Sequence, residues 1–272
     1  MPMQIRHYSK PSPQKSEGED ALALNPHRGF YGVMDGVTPI ADYRDANGHN
    51  GAYLASNILK AYLERPDGSG SLLEEVRAAN RALREAMVDA GIDLSRKHEL
   101  WASCLAVAHV TEEGVRFAQT GDCMIVAKFA DGSVRVLTEN RVNGVSARAK
   151  AKRAADRERG LPVEDESHYE ELYNVLAYNR SVMANTPEGY GVANGTEEAA
   201  EHIRAGFVQA SEQPTDLLLV SDGMFHPGVP LETTLEQIVQ EGFETYVERV
   251  EAAERERGMR PDDRSAVLLQ WR

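Results

Sequence analysis

The sequence predicts an α+β fold in which antiparallel sheets and helices are kept apart. Three observations carry this. The β-prone runs fall into three groups, near the N-terminus, between Trp101 and Thr138, and from Gly206 to the end. Turn signals such as Asp131-Gly132 join neighbouring runs as hairpins. The regular strand–helix–strand spacing of a parallel sheet does not appear. Hydrophobic residues make up 42% of the chain and charged residues 27%, the composition of an ordered globular protein.

Along the chain, Gln4–Ser9 alternates weakly, Ala21–Asn25 is short and apolar, and FYGVMD over Phe30–Asp35 runs into a glycine. Two helices follow. Gly51–Glu64 carries Leu54, Ile58, Leu59 and Leu63 on one side. Ser71–Ala90 sets Leu72, Val76, Ala79, Leu83 and Met87 at steps of three and four, with Ser71 as N-cap and Gly91 as the stop. CLAVAHV, GVRFAQTG, MIVAKFA and SVRVLT form the second strand group. GFVQAS (206–211), TDLLLVSD (215–222) and SAVLLQW (265–271) form the third, with helices over Leu231–Gln240 and Phe243–Arg257 between them. No repeat and no long Gly/Ser or Pro linker interrupts this order, so one domain over 1–272 is expected, with a helical, flap-like insert at about 141–180. Arg148, Lys150, Lys152, Arg153, Arg157 and Arg159 crowd that insert against only Asp156 and Glu158. Two readings of this run stand: a solvated helical face, or a mobile flap that attracts an anionic ligand.

The formal charge of −13 argues against a general nucleic-acid binder, which needs a basic face for phosphates. Cys104 and Cys123, the two cysteines, make no disulfide framework and no C-x-x-C zinc site. No apolar stretch reaches the roughly 18–20 residues of a membrane span. The opening MPMQIRHYSKPSPQKSEGED lacks the apolar core of a secretory signal, so a soluble cytoplasmic protein is expected.

The chemistry concentrates in carboxylates at strand ends. Asp35-Gly36 closes FYGVMDG and Asp222-Gly223 closes DLLLVSDG. Glu19-Asp20 precedes ALALN, Asp262-Asp263 precedes the last strand, and Asp122 follows Gly121 between two strands. Any single Asp-Gly reads as a turn, as Asp67-Gly68 and Asp131-Gly132 do. Five acidic elements gathered at one place would repel each other unless cations neutralised them, and oxygen-only ligands suit Mg²⁺ or Mn²⁺ rather than zinc.

In order, GEDA (18–21), YGVMDG (31–36), SCLAVAHV with FAQTGDCMIVAKF (103–129), LLLVSDGMF (217–225) and PDDRSAVLLQW (261–271) resemble the PPM (protein phosphatase 2C-like) family of metal-dependent Ser/Thr protein phosphatases, over nearly the whole chain. The resemblance implies a four-layer αββα sandwich with a binuclear Mn²⁺ or Mg²⁺ centre at one end. It implies that Asp35 bridges two ions, that the Gly36 carbonyl binds one, and that Asp222 and Asp262 ligate the other. Glu19 would bind directly or through water, Asp20 would hold a metal-bound water, and Asp122 with Asp222 would offer a third ion position. Asp262 is preferred to Asp263 because the family's ligand is the first residue of its pair. The implied reaction is hydrolysis of phosphoserine or phosphothreonine in a phosphorylated protein substrate, in a signalling role, by a metal-activated water with no covalent enzyme intermediate. Partner nucleic acid or membrane is not implied, and the oligomeric state stays open.

Three departures from the family pattern matter. Lys15 stands where the family has an arginine that grips the substrate phosphate, and an ammonium cannot make a bidentate fork. The family's D-G-x-G-G is Asp35-Gly36-Val37-Thr38-Pro39 here, with Val37 where some members have a histidine acid; His49 is a candidate proton donor or an uninvolved surface histidine. NRSVMANTPEGYGVANG (179–195), with Arg180 and the turn Asn185–Gly189, shapes a substrate pocket or is simply loop. Against other phosphatase classes, Val33 replaces the nucleophilic Asp of a D-x-D-G-T signature, and neither cysteine begins a C-x₅-R loop. G-x-S-x-G, HExxH and Walker A patterns are absent. An inactive or weakly active domain of this fold that binds a partner, or a phosphatase of a non-protein phosphoester, are the alternatives.

Overall fold

The computed structural model describes residues 3–68 and 70–271. Its strands are β1 (Met3–Lys10), β2 (Ala21–Asn25), β3 (Phe30–Gly36), β4 (Ser103–Thr111), β5 (Gly114–Thr120), β6 (Met124–Phe129), β7 (Val134–Val136), β8 (Arg204–Gln209), β9 (Pro214–Val220) and β10 (Arg264–Trp271). They pair antiparallel throughout in two sheets of five, ordered β1-β10-β9-β6-β7 and β2-β3-β4-β5-β8. The helices are α1 (Gly51–Leu63), α2 (Leu72–Asp89), α3 (Val145–Glu158), α4 (Leu172–Tyr178), α5 (Leu231–Glu241) and α6 (Phe243–Arg257).

Alternate residues of the central strands explain the layering. Val33, Ala106, Ile125, Leu219 and Val267 meet between the sheets as one buried core. Their sequence neighbours face outward, and helices cover them. Met34, Leu105 and Val107 pack under Leu59 and Leu63 of α1 and Val76 and Ala79 of α2. Val126, Leu218 and Leu268 pack under Leu235 and Ile238 of α5 and Tyr246 and Val250 of α6. A strand with apolar cover on both faces has no polar side to alternate, which is why DLLLV reads as a continuous apolar run. The result is the αββα order of four layers, an α+β sandwich. Ser71 caps α2 with a full capping box involving Glu74. Asn50 caps α1 by accepting from the Tyr53 N–H. No helix among the described residues is long and apolar enough to cross a membrane.

Between β7 and β8 lie α3, a 3₁₀ turn (Glu166–Glu170), α4 and a π-helical turn (Asn179–Met183). The basic run of α3 is largely engaged within this segment. Arg153 is buried, forks onto both oxygens of Glu166 at 2.9 and 2.8 Å, and lies over the Tyr169 ring. Arg157 joins the same carboxylate, Arg159 pairs with Asp156, and Arg148 donates to the carbonyls of Arg141, Asn143 and Glu188. Lys150 is exposed.

Candidate metal and phosphate site

Strand ends converge where the two sheets meet. Asp35 and Gly36 finish β3, opposite Cys104 and Ser103 of β4. Asp122 sits in the β5–β6 turn after Gly121, whose φ of 73° is open chiefly to glycine and where an added Cβ would lie 2.1 Å from the Cys104 sulfur. Asp222 follows β9 at a 3₁₀ turn, and Asp262 precedes β10. Asp35, Gly36, Asp122, Asp222 and Asp262 line one cavity of about 230 Å³, together with Lys15, Asp263, Cys104, Thr38, Asn179, Arg180 and Tyr190.

The electrostatics follow from burying like charges together. Burial raises the pKa of Asp35 well above the carboxylate range, and Asp20, Asp222, Asp122 and Asp262 push it further. Asp222 is pushed up to about 7 by burial and then by Asp122 and Asp262. Asp20 is pushed up to about 8 by burial, although Ser221 donates to it at 2.8 Å. Asp122 is raised chiefly by burial and then by Asp262, with Cys104 partly offsetting this.

The Asp262-Asp263 pair divides in two. Asp263 is 3% exposed, and its Oδ1 accepts the Ser12 N–H at 2.7 Å. Its Oδ2 accepts the Glu19 N–H at 2.7 Å and Lys15 Nζ at 2.8 Å. Burial opposes ionisation of Asp263, but these donors outweigh it and lower its pKa. Asp263 therefore clamps the N-terminal segment, while Asp262, exposed at the cavity rim, accepts among the described residues only the Asp263 N–H, at 2.8 Å on its Oδ1.

Lys15, expected at the substrate phosphate, is held by Glu19 at 2.6 Å as well as by Asp263. Burial works against its charge, and those two hydrogen bonds more than offset that, raising its pKa. Glu19 is buried, with one oxygen on Lys15 and the other on the Asn50 amide. It faces a neighbouring cavity of about 410 Å³ rather than the one lined by Asp35. His49 lines that second cavity too, stacked on Tyr53 with its Nδ1 3.0 Å from Asp45 and its Nε2 3.3 Å from Glu17.

Among the described residues, no three His, Cys, Asp or Glu side chains already form an ion-ready set. The carboxylates converge, but protein donors now occupy Glu19, Asp20 and Asp263. As a donor set they are hard, oxygen-only and mutually repulsive, which fits Mg²⁺ or Mn²⁺. Sequence reasoning missed the partners Asn50 and Ser221 and the clamp at Asp263. Only Asn50 had a local signal, an Asn directly before a helix.

The fold and this acidic cavity define a class: an αββα sandwich that gathers strand-end carboxylates at one end of its sheets. The sequence profile of the protein phosphatase 2C family matches residues 14–264, and the chain belongs to that family. It is similar to the Mycobacterium tuberculosis serine/threonine phosphatase PstP/Ppp at 17% identity, covering 98% of each chain with a TM-score of 0.59. A structure of the PstP catalytic domain is described in complex with 2 manganese ions; it shares 17% identity, covers 98% of this chain and 97% of that one, and has a TM-score of 0.60. Staphylococcus aureus Stp1, a serine/threonine phosphatase, is similar at 13% identity over 100% of this chain and 96% of its own, with a TM-score of 0.58. At these identities the structural likeness shows the fold. No curated protein matches the sequence.

Proposed function

We propose that this chain is a metal-dependent phosphatase of phosphoserine and phosphothreonine in proteins, built as one domain with the 141–180 flap beside its site. The observation that carries the reading is the convergence of Asp35, Asp122, Asp222 and Asp262 on one cavity, where burial and mutual repulsion raise the pKa values of Asp35, Asp122 and Asp222. Such charges lower their energy by taking up cations. Asp35, the Gly36 carbonyl, Asp222 and Asp262 would hold two Mn²⁺ or Mg²⁺ ions, with Asp20 and Glu19 at their edge and Asp122 offering a third position with Asp222. When bound, such ions supply an activated water and neutralise charge developing at phosphorus. The chain's own part is to orient: Ser221 fixes Asp20, and the Asp263 clamp holds the Glu19-Asp20 segment against the strand ends. Phosphoryl transfer asks mainly for this positioning and charge complementarity.

Hydrolysis of p-nitrophenyl phosphate and of a phosphothreonine peptide tests this. Activity is expected with Mn²⁺, to vanish in EDTA, and to fall by orders of magnitude in Asp35→Ala and Asp222→Ala. Comparable activity in those variants would overturn the reading. The mutual engagement of Lys15 and Glu19 favours a second reading, a domain that binds phosphorylated partners without turnover. Binding of the phosphopeptide with no Mn²⁺-dependent product would select it.

A further inference from the structure

The flap turn that matched no motif carries a cation with little else to do. Arg180 lies on the π-helical turn Asn179–Met183, a local geometry that recurs at functional sites. Its guanidinium has five N–H donors, of which Nη2 reaches the Thr38 carbonyl on the loop after Asp35-Gly36. Among the described residues no carboxylate comes within 4.0 Å of it. Yet it lines the same cavity as Asp35, Asp122, Asp222 and Asp262. Beside it, Asn179 is 6% exposed, and its buried side-chain oxygen has no hydrogen-bond partner. Lys15, by contrast, spends its charge on Glu19 and Asp263.

A partly buried guanidinium without an anion is costly unless its partner arrives from outside. A phosphate monoester supplies what is missing, since its oxygens match the planar fork bidentately. We propose that Arg180 grips the phosphoryl oxygens of the substrate in place of Lys15. This rests on the phosphatase reading. It makes the flap part of substrate binding, because the Arg180–Thr38 contact ties the π-turn to the loop after Asp35-Gly36. Arg180 thereby becomes a substrate-binding residue, while the carboxylates serve the ions.

The test uses the full chain with Mn²⁺. Inorganic phosphate binding is followed by calorimetry, Mn²⁺ binding is measured separately, and kcat and KM are determined on a phosphothreonine peptide. Losing a charge-assisted fork predicts that Arg180→Ala weakens phosphate binding and raises KM by roughly 10- to 100-fold. Its Mn²⁺ affinity should stay at the wild-type value. Arg180→Lys should recover part of the loss, because an ammonium keeps the charge and loses the fork. Arg180→Gln, which retains a donor for the Thr38 carbonyl, guards against a folding defect and should behave like Arg180→Ala. Unchanged phosphate affinity in Arg180→Ala or Arg180→Gln overturns the proposal, as does a loss that merely tracks lost Mn²⁺. If wild type binds phosphate through Arg180 but shows no Mn²⁺-dependent hydrolysis, the phosphatase reading fails while this assignment stands.

Discussion

Asp263→Ala isolates the clamp from the chemistry. Asp263 is 3% exposed and takes three donors: the Ser12 and Glu19 N–H groups, each at 2.7 Å, and Lys15 Nζ at 2.8 Å. Removing one partner of a buried ion pair costs about 3–5 kcal/mol, because the other charge is left uncompensated. Two orphaned backbone donors add to this, each by about 1–3 kcal/mol where water cannot reach them. Lys15 is about a quarter exposed and can recover some hydration. The net expectation is therefore a loss of about 3–5 kcal/mol. Urea unfolding in EDTA at pH 7 measures it, with an unchanged m-value as the check that the native state is retained. Asp262→Ala removes an exposed side chain and its hydrogen bond from the Asp263 N–H, and should cost about 1 kcal/mol or less, while abolishing Mn²⁺-dependent turnover. The folded pKa of Asp263 is depressed, so its contribution is present above the unfolded value near 3.9 and is lost as pH falls through the folded value. The gap between wild type and Asp263→Ala should close in strong acid. A cost below about 1 kcal/mol at pH 7, or a larger cost at Asp262, would refute this division of roles.

The acidic cluster has the opposite sign. Asp35, Asp20 and Asp222 have raised folded pKa values, about 8 for Asp20 and about 7 for Asp222, so the folded state binds more protons than the unfolded state between about pH 4 and 8. In EDTA, thermal stability should fall as pH rises through that window, Asp222→Asn should flatten the fall, and Mn²⁺ should reverse it. Gly121→Ala would force a Cβ to 2.1 Å from the Cys104 sulfur at a φ of 73°, and urea unfolding should show a loss of about 1–3 kcal/mol. Glu166→Ala leaves buried Arg153 unpaired; limited proteolysis should cut faster within 141–180, with an intact flap in the variant as the contrary result.

Elements whose cause is local were legible. β2 and α6 have the bounds read from the sequence, because an apolar run between turn residues and a helix stopped by Gly258 each carry their own punctuation. The αββα layering itself came from the family resemblance, and the alternation of Val33 and Met34 between two cores explains it physically. β8 begins at Arg204, two residues earlier than its apolar signal, because it is an edge strand whose exposed positions tolerate charge. The pairing of Lys15 was not legible, since its partner Asp263 lies 248 residues away. Adjacent aspartates look alike in sequence, and only tertiary contact shows that Asp263 is buried on distant N–H and ammonium donors while Asp262 is exposed with a local N–H. The basic run of α3 hid its purpose for the same reason: Glu166, its main counter-charge, stands beyond the helix.

That division explains how the chain keeps so many acids together and still folds. Lys15 and Asn50 hold Glu19, Ser221 holds Asp20, and Ser12, Glu19 and Lys15 hold Asp263. Each arrangement supplies positive or partially positive charge to a carboxylate, as a cation does. Under the proposed reading, several of the ligand positions would be oriented by the protein before any ion arrives, and ions would enter by exchanging with protons and weak donors. A salt bridge is harder to exchange than a thiol or hydroxyl hydrogen bond, because separating it exposes two charges at once. Glu19 is consequently more tightly held than Asp35, Asp122, Asp222 and Asp262, which share the cavity with Arg180 and would, on the proposed reading, meet ions and phosphate there.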